Sequence, residues 1–74
     1  MNYPVIDPVL TGTNLKRLIR NSGNTVADVA DMLGIADKST MYKWMRGDAI
    51  PGIDNLLALS ILLGVTINDI LSWR

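Results

Sequence analysis

A single glycine, Gly34, divides two short runs of apolar residues that each repeat at helical spacing, and this pairing constrains the chain more than any other stretch. Upstream, Val26, Val29, Ala30 and Leu33 recur at i, i+3, i+4 and i+7, the stripe of an amphipathic helix. Gly34 then breaks the pattern, as a glycine just past a helix end does. Downstream, Met41, Trp44 and Met45 fall on one side of a second helix, while Ser39, Tyr42, Lys43 and Arg46 point together on the other. Two short helices joined by a tight turn, the second with a polar basic face, fit the major groove of duplex DNA.

Composition narrows the classes that remain. Seventy-four residues make one small domain whose core is only marginally sufficient, so helix packing must supply its stability, aided by self-association. Cysteine is absent, which excludes a disulfide framework and a thiolate zinc site. Histidine is absent too, which removes the commonest general base and metal ligand. No metal and no cofactor is expected. No apolar run approaches the roughly 18 residues of a membrane span, and the N-terminus lacks a secretory signal, so a soluble cytoplasmic protein is expected. Seven basic residues balance seven acidic ones and the pI is near 6.0, although DNA-binding domains are usually basic. The charges are segregated, however. Lys16, Arg17 and Arg20 cluster in the first helix, Lys38, Lys43 and Arg46 in the third, and the acids are aspartates set mostly at helix starts.

Along the chain the pattern predicts an all-α domain of five helices. Residues 1–10, with two prolines and no periodicity, read as an extended N-terminal arm, and 11–74 as the folded domain. Helix 1 is expected from about Gly12 to Asn21, entered through Thr11, with Leu15, Leu18 and Ile19 inward. Helix 2 follows Thr25, with Asp28 completing a variant of the capping box. Helix 3 begins near Asp37 and ends at Arg46-Gly47. Helix 4 spans Ile53 to Leu63, with Leu56, Leu57, Leu59 and Leu63 available for burial. Gly64 stops it, and Thr66 with Asp69 opens a short helix 5 carrying Ile67, Ile70 and Leu71.

The order LKRLI, VADVA, LGI, MYKWMRG and IDNLLALSILLGVTINDIL resembles the phage-repressor (Cro-like, Xre-like) helix-turn-helix family over about residues 12–71. Its most specific elements are Leu33-Gly34-Ile35, Trp44 with Arg46-Gly47, Pro51, and Leu63-Gly64-Val65-Thr66. The Tyr3-Pro4-Val5-Ile6-Asp7 start and Met41-Tyr42-Lys43-Trp44 are similar to small stand-alone bacterial members. The resemblance implies that helices 2 and 3 form the DNA-binding unit, with helix 3 in the major groove. Several positions depart from the family pattern. Val26 stands where many members carry a phosphate-binding glutamine, and Ile19 and Met45 stand where many pair an arginine with a glutamate. Replacing both members of a buried ion pair by apolar residues is often neutral or stabilising, so the packing contact is expected to persist. The turn after Gly34 is one residue longer than the commonest spacing, leaving open whether Lys38 or Ser39 leads helix 3. Asp48 and Ala49 offer no phosphate contact in a loop that is often basic.

The candidate DNA contacts are Asn24, Thr25, Lys38, Ser39, Thr40, Tyr42, Lys43 and Arg46. Lys43 suits a base edge or phosphate, and Arg46, nearer the helix end, suits the backbone. Ser39 and Thr40 suit phosphate or base, yet also suit the first turn of any helix. Tyr42 suits a sugar or thymine methyl, or half-burial against helix 2. Asn24 and Thr25 suit a phosphate, although capping alone explains Thr25. Lys16, Arg17 and Arg20 read as solvated, and Trp44 as core. The apolar arm residues Tyr3, Val5, Ile6, Val9 and Leu10 must pack on their own domain or on a second subunit. Leu59, Leu62, Leu71 and Trp73 could add an apolar patch, and a homodimer is expected. An enzyme is not: no nucleophile stands near a base, and Asp28 and Asp31 read as solvated. The rival reading is a protein-interaction module that keeps the fold, has lost phosphate contacts and binds a protein partner such as a toxin.

Overall fold

Asp7 decides where the first helix begins. In the computed structural model, which describes residues 3–74, α1 runs Pro8–Asn21, one turn earlier than the Gly12 start read from the sequence. Proline tolerates the first helical position because its missing N–H would have no partner there. The Asp7 side chain caps the turn, accepting from the Leu10 N–H at 3.1 Å. The extended segment therefore ends at Asp7, not Leu10; the first two residues of the expected arm lie outside the described residues.

The remaining helices are α2 (Val26–Met32), α3 (Ser39–Arg46), α4 (Ile53–Leu63) and α5 (Ile67–Ile70). The Thr25 hydroxyl accepts from the Asp28 N–H at 3.1 Å, and the Asp28 carboxylate accepts from the Thr25 N–H at 3.0 Å. Thr66 and Asp69 repeat this capping box at α5. Between α2 and α3, Gly34 sits at φ +70°, a left-handed conformation that disfavours any side chain. That turn lets the Ile35 N–H donate back to the Ala30 carbonyl at 2.9 Å, closing the helix in a Schellman pattern.

Every helix contributes to one core: Leu15 and Ile19 from α1, Val29 and Ala30 from α2, Met41 and Trp44 from α3, Leu56 and Leu59 from α4, Ile70 from α5. α1 packs most extensively on α3, and α5 docks on both α1 and α4. The α1–α3 approach is close because Gly12 is buried at the crossing. A Cβ there would lie 2.5 Å from the Trp44 carbonyl oxygen and 2.6 Å from that of Met45.

Two expectations about apolar faces change. Leu57, expected to be available for burial, is half exposed, while Leu59, read both as available for burial and as part of an outer patch, is fully buried. The arm folds back on its own chain through its backbone, but of the apolar residues expected to pack only Ile6 is half-buried, and Tyr3, Val5, Val9 and Leu10 stay exposed. Val5 and Arg74 exchange backbone hydrogen bonds at 3.2 and 2.8 Å, and the Asp7 N–H donates to the Ser72 carbonyl at 2.8 Å. Ile6 and Trp73 thereby pair antiparallel, the one extended pairing among the described residues. Thr11 and Asn14 hold the other side of this junction. The Ser72 N–H donates to the Thr11 hydroxyl at 3.0 Å, and Asn14 Nδ2 donates to Ser72 Oγ at 2.8 Å. Among the described residues no buried side-chain polar atom lacks a partner, and no helix is long and apolar enough to cross a membrane.

Candidate nucleic-acid interface

Helix α3 is positioned by its buried side. Met41 and Trp44 enter the core, so helical geometry turns Ser39, Tyr42, Lys43 and Arg46 outward as one exposed strip. Ser39, not Lys38, leads the helix. Lys38 occupies the capping position without a side-chain cap bond. Asp37 supplies the cap from one residue further back, its carboxylate accepting from the Ser39 N–H at 2.9 Å. That backbone bond, followed by a bond from the Ser39 side chain, holds the Asp37 carboxyl below its ordinary value, with the Lys43 charge adding a smaller effect. An aspartate here favours the positive end of α3, and it also sets a negative charge beside the strip. Thr40 is half-buried and stands off the strip; Lys38 is exposed at its start.

At the far end, Arg46 is engaged. Its Nε donates to Asp48 Oδ2 at 2.9 Å, and its Nη2 lies 2.9 Å from the same oxygen. Both side chains are well exposed, so solvent weakens this pair. Among the described residues Lys43 has no ion-pair partner, so it is the cation of the strip without a direct salt bridge, although the Asp37 charge acts on it. Asp48, a loop residue that offers no phosphate contact, instead engages Arg46, and the sequence signal for this pair is an acid two positions past Arg46 across a helix-ending glycine.

Asn24 and Thr25 stand apart from the strip, at the corner between α1 and α2. Thr25 is exposed, and its capping bonds use its backbone N–H and one oxygen lone pair, leaving its hydroxyl hydrogen to donate. Asn24 is half-buried and turns its side-chain amide to Ser22 Oγ at 3.2 Å. These two residues line a groove of about 350 Å³ together with Lys16, Arg20 and Met45. The basic cluster of α1 is therefore divided. Lys16 and Arg20 face this groove, next to the start of α2 and the end of α3. Arg17 points toward α5, donating to Asn14 Oδ1 at 3.4 Å and acting on Asp69. Ile19 and Met45 line the same groove, Ile19 within the core and Met45 packed against that core. No group of side chains that could hold a metal ion occurs among the described residues.

Comparison with known proteins places this arrangement. A helix-turn-helix family model matches residues 15–70, from the first buried leucine of α1 through α5. Among solved structures, the restriction-modification controller protein C.AhdI from Aeromonas hydrophila is similar, with 25% identity and a TM-score of 0.77. The match covers 86% of this chain and 96% of that one. No curated protein matches the chain significantly. The chain belongs to the helix-turn-helix family, whose members are DNA-binding transcriptional regulators of the Cro/Xre-like type and not enzymes.

Proposed function

We propose that the chain recognises a specific duplex DNA sequence by inserting α3 into the major groove, and that it does so as a cytoplasmic homodimer. The observation that carries this reading is the outward strip of α3. Ser39, Tyr42, Lys43 and Arg46 project together from a helix whose opposite side is buried by Met41 and Trp44. Lys43 is the base-reading candidate, because lysine donates to guanine O6 and N7. Arg46, Thr25 and Asn24 suit the phosphates on either side, and Ser39 and Lys38 suit the entry of α3. The similar solved structure is a controller protein, and a regulatory role for this chain is carried over from it by analogy.

For the dimer, α4 offers the face. Ile53, Leu57 and Ile61 recur every fourth residue and are 75%, 52% and 71% exposed, forming an apolar stripe on one side of the helix. A second copy is the natural cover, because a two-fold axis lets one stripe pack on itself.

The test is fluorescence anisotropy with random and selected duplexes at about 50 and 200 mM salt, where phosphate contacts give a large difference in affinity. Lys43→Ala/Arg46→Ala alters only exposed side chains, so the fold should persist. The double variant should lose at least about tenfold in affinity and lower the salt slope by about one to two. Unchanged binding in the variant would overturn the placement of α3.

Two observations favour the protein-interaction reading. Arg46 is already paired with Asp48, and the formal net charge is zero, so the phosphate-binding potential is modest. A complete lack of DNA binding at both salts, with the fold intact, would move the assignment to a partner-binding domain.

A further inference from the structure

The groove between α1, α2 and α3 combines an apolar floor with two cations, Lys16 and Arg20, to which the proposed function assigns no role. Its floor is apolar, made by Ile19, Val26 and Met45, and its volume of about 350 Å³ lies at the lower end of small-molecule pockets. Its rim is cationic. Lys16 and Arg20 lie one helical turn apart on α1, both line the groove, and neither has an ion-pair partner among the described residues. Asn24 adds a polar group to the opposite edge. An apolar floor below two unpaired cations matches one ligand class best. An organic anion can lay a hydrocarbon body on Val26 and Met45 while its head group meets the lysine and arginine.

We propose that this groove is a binding site for a small amphipathic carboxylate, of the size of a medium-chain acyl anion. A neutral or cationic amphiphile leaves the two rim charges unanswered, and a small hydrophilic anion leaves the floor uncovered. Asn24 and Thr25 line the groove and are also proposed phosphate contacts, so an occupied groove and a DNA backbone would compete at this corner; that consequence rests on the proposed function, whereas the binding itself does not.

The experiment is an NMR titration of the full chain with sodium octanoate, with octylamine and sodium acetate as controls, in the absence of DNA. Octanoate to about 10 mM, enough to detect a Kd near 1 mM, should give saturable shifts at the Gly23, Asn24 and Thr25 amides and the Met45 methyl. Octylamine and acetate should not. Lys16→Gln/Arg20→Gln removes exposed charges without touching the core, and it should weaken octanoate by about tenfold, the size of one charge-assisted contact. Absence of shifts, shifts centred on α4, equal response to octylamine, or undiminished affinity in the double variant would each overturn the site. Because no DNA is present, failure here is separate from failure of the DNA reading, and only a positive titration calls for a competition assay.

Discussion

A single short contact, Arg46 to Asp48, bears on how strongly the proposed interface can hold DNA. The guanidinium that would reach a phosphate is bound instead to a carboxylate at 2.9 Å on its own chain. Any DNA contact by Arg46 must displace or share that carboxylate, and Asp48 itself faces the polyanion. Because both groups are exposed, breaking the pair costs little, about 0.2–1 kcal/mol. Asp48→Asn keeps the shape of the turn while removing the charge. The expected outcome is DNA binding tighter by about two- to fivefold at low salt, with thermal stability changed by less than about 0.5 kcal/mol. Anisotropy beside a melting curve checks both. Unchanged affinity would mean that Arg46 stands away from DNA, and weaker affinity would mean that Asp48 orients the arginine.

At the scale of helices, the crossing of α1 over α3 holds α3, the proposed recognition helix, in place. Gly12 carries it, with α3 backbone oxygens where a Cβ would stand. Helix propensity alone predicts that Gly12→Ala stabilises α1 by up to about 1 kcal/mol. Crowding against a backbone that cannot move like a flexible side chain predicts the reverse, about 1–3 kcal/mol of destabilisation. We expect crowding to win, lowering Tm by about 5–15 °C for a chain of this size and displacing α3 enough to weaken DNA binding. A raised Tm would show that the helices separate easily. The sequence makes some of these elements plain and hides others, for physical reasons. Threonine caps with an aspartate three residues on mark α2 and α5, because that pairing is local. The early start of α1 was obscured because Asp7-Pro8 sits among prolines and looks like arm, although an aspartate cap before a first-turn proline is itself a start signal. α4 gives no such guidance. Leucine and isoleucine occur nearly all round it, so periodicity could not separate buried Leu59 from exposed Leu57. The outward strip of α3 was legible from phase alone. The division of Lys16 and Arg20 from Arg17 was not, since it depends on how α2 and α5 pack against α1.

The whole molecule joins its two ends and leaves one side of α4 bare. Residues 72–74 pair with the N-terminal segment, and Asp7 lies 3.7 Å from the Arg74 guanidinium, so the arm is used in cis. An exchange of arms between subunits is therefore not needed to cover Ile6, although Tyr3, Val5, Val9, Leu10 and Trp73 stay exposed, and the apolar surface proposed for association is the Ile53, Leu57 and Ile61 stripe. Zero net charge places no electrostatic barrier before two copies meeting there. A dimer also answers the weak phosphate potential. Two α3 helices about one turn of DNA apart convert modest half-site binding into useful affinity through effective concentration. Leu57→Lys sets a charge in the middle of the stripe at an already exposed position, so the monomer should stay folded. Sedimentation velocity should show the native chain as a dimer at tens of micromolar, about the level expected from burying three exposed aliphatic residues per subunit, and the variant as a monomer. Anisotropy should then show the variant losing about 100-fold on a two-half-site duplex while its binding to an isolated half-site is unchanged. A native monomer at these concentrations would leave the stripe to another partner, and a variant that loses half-site binding equally would place α4 in the DNA contact itself.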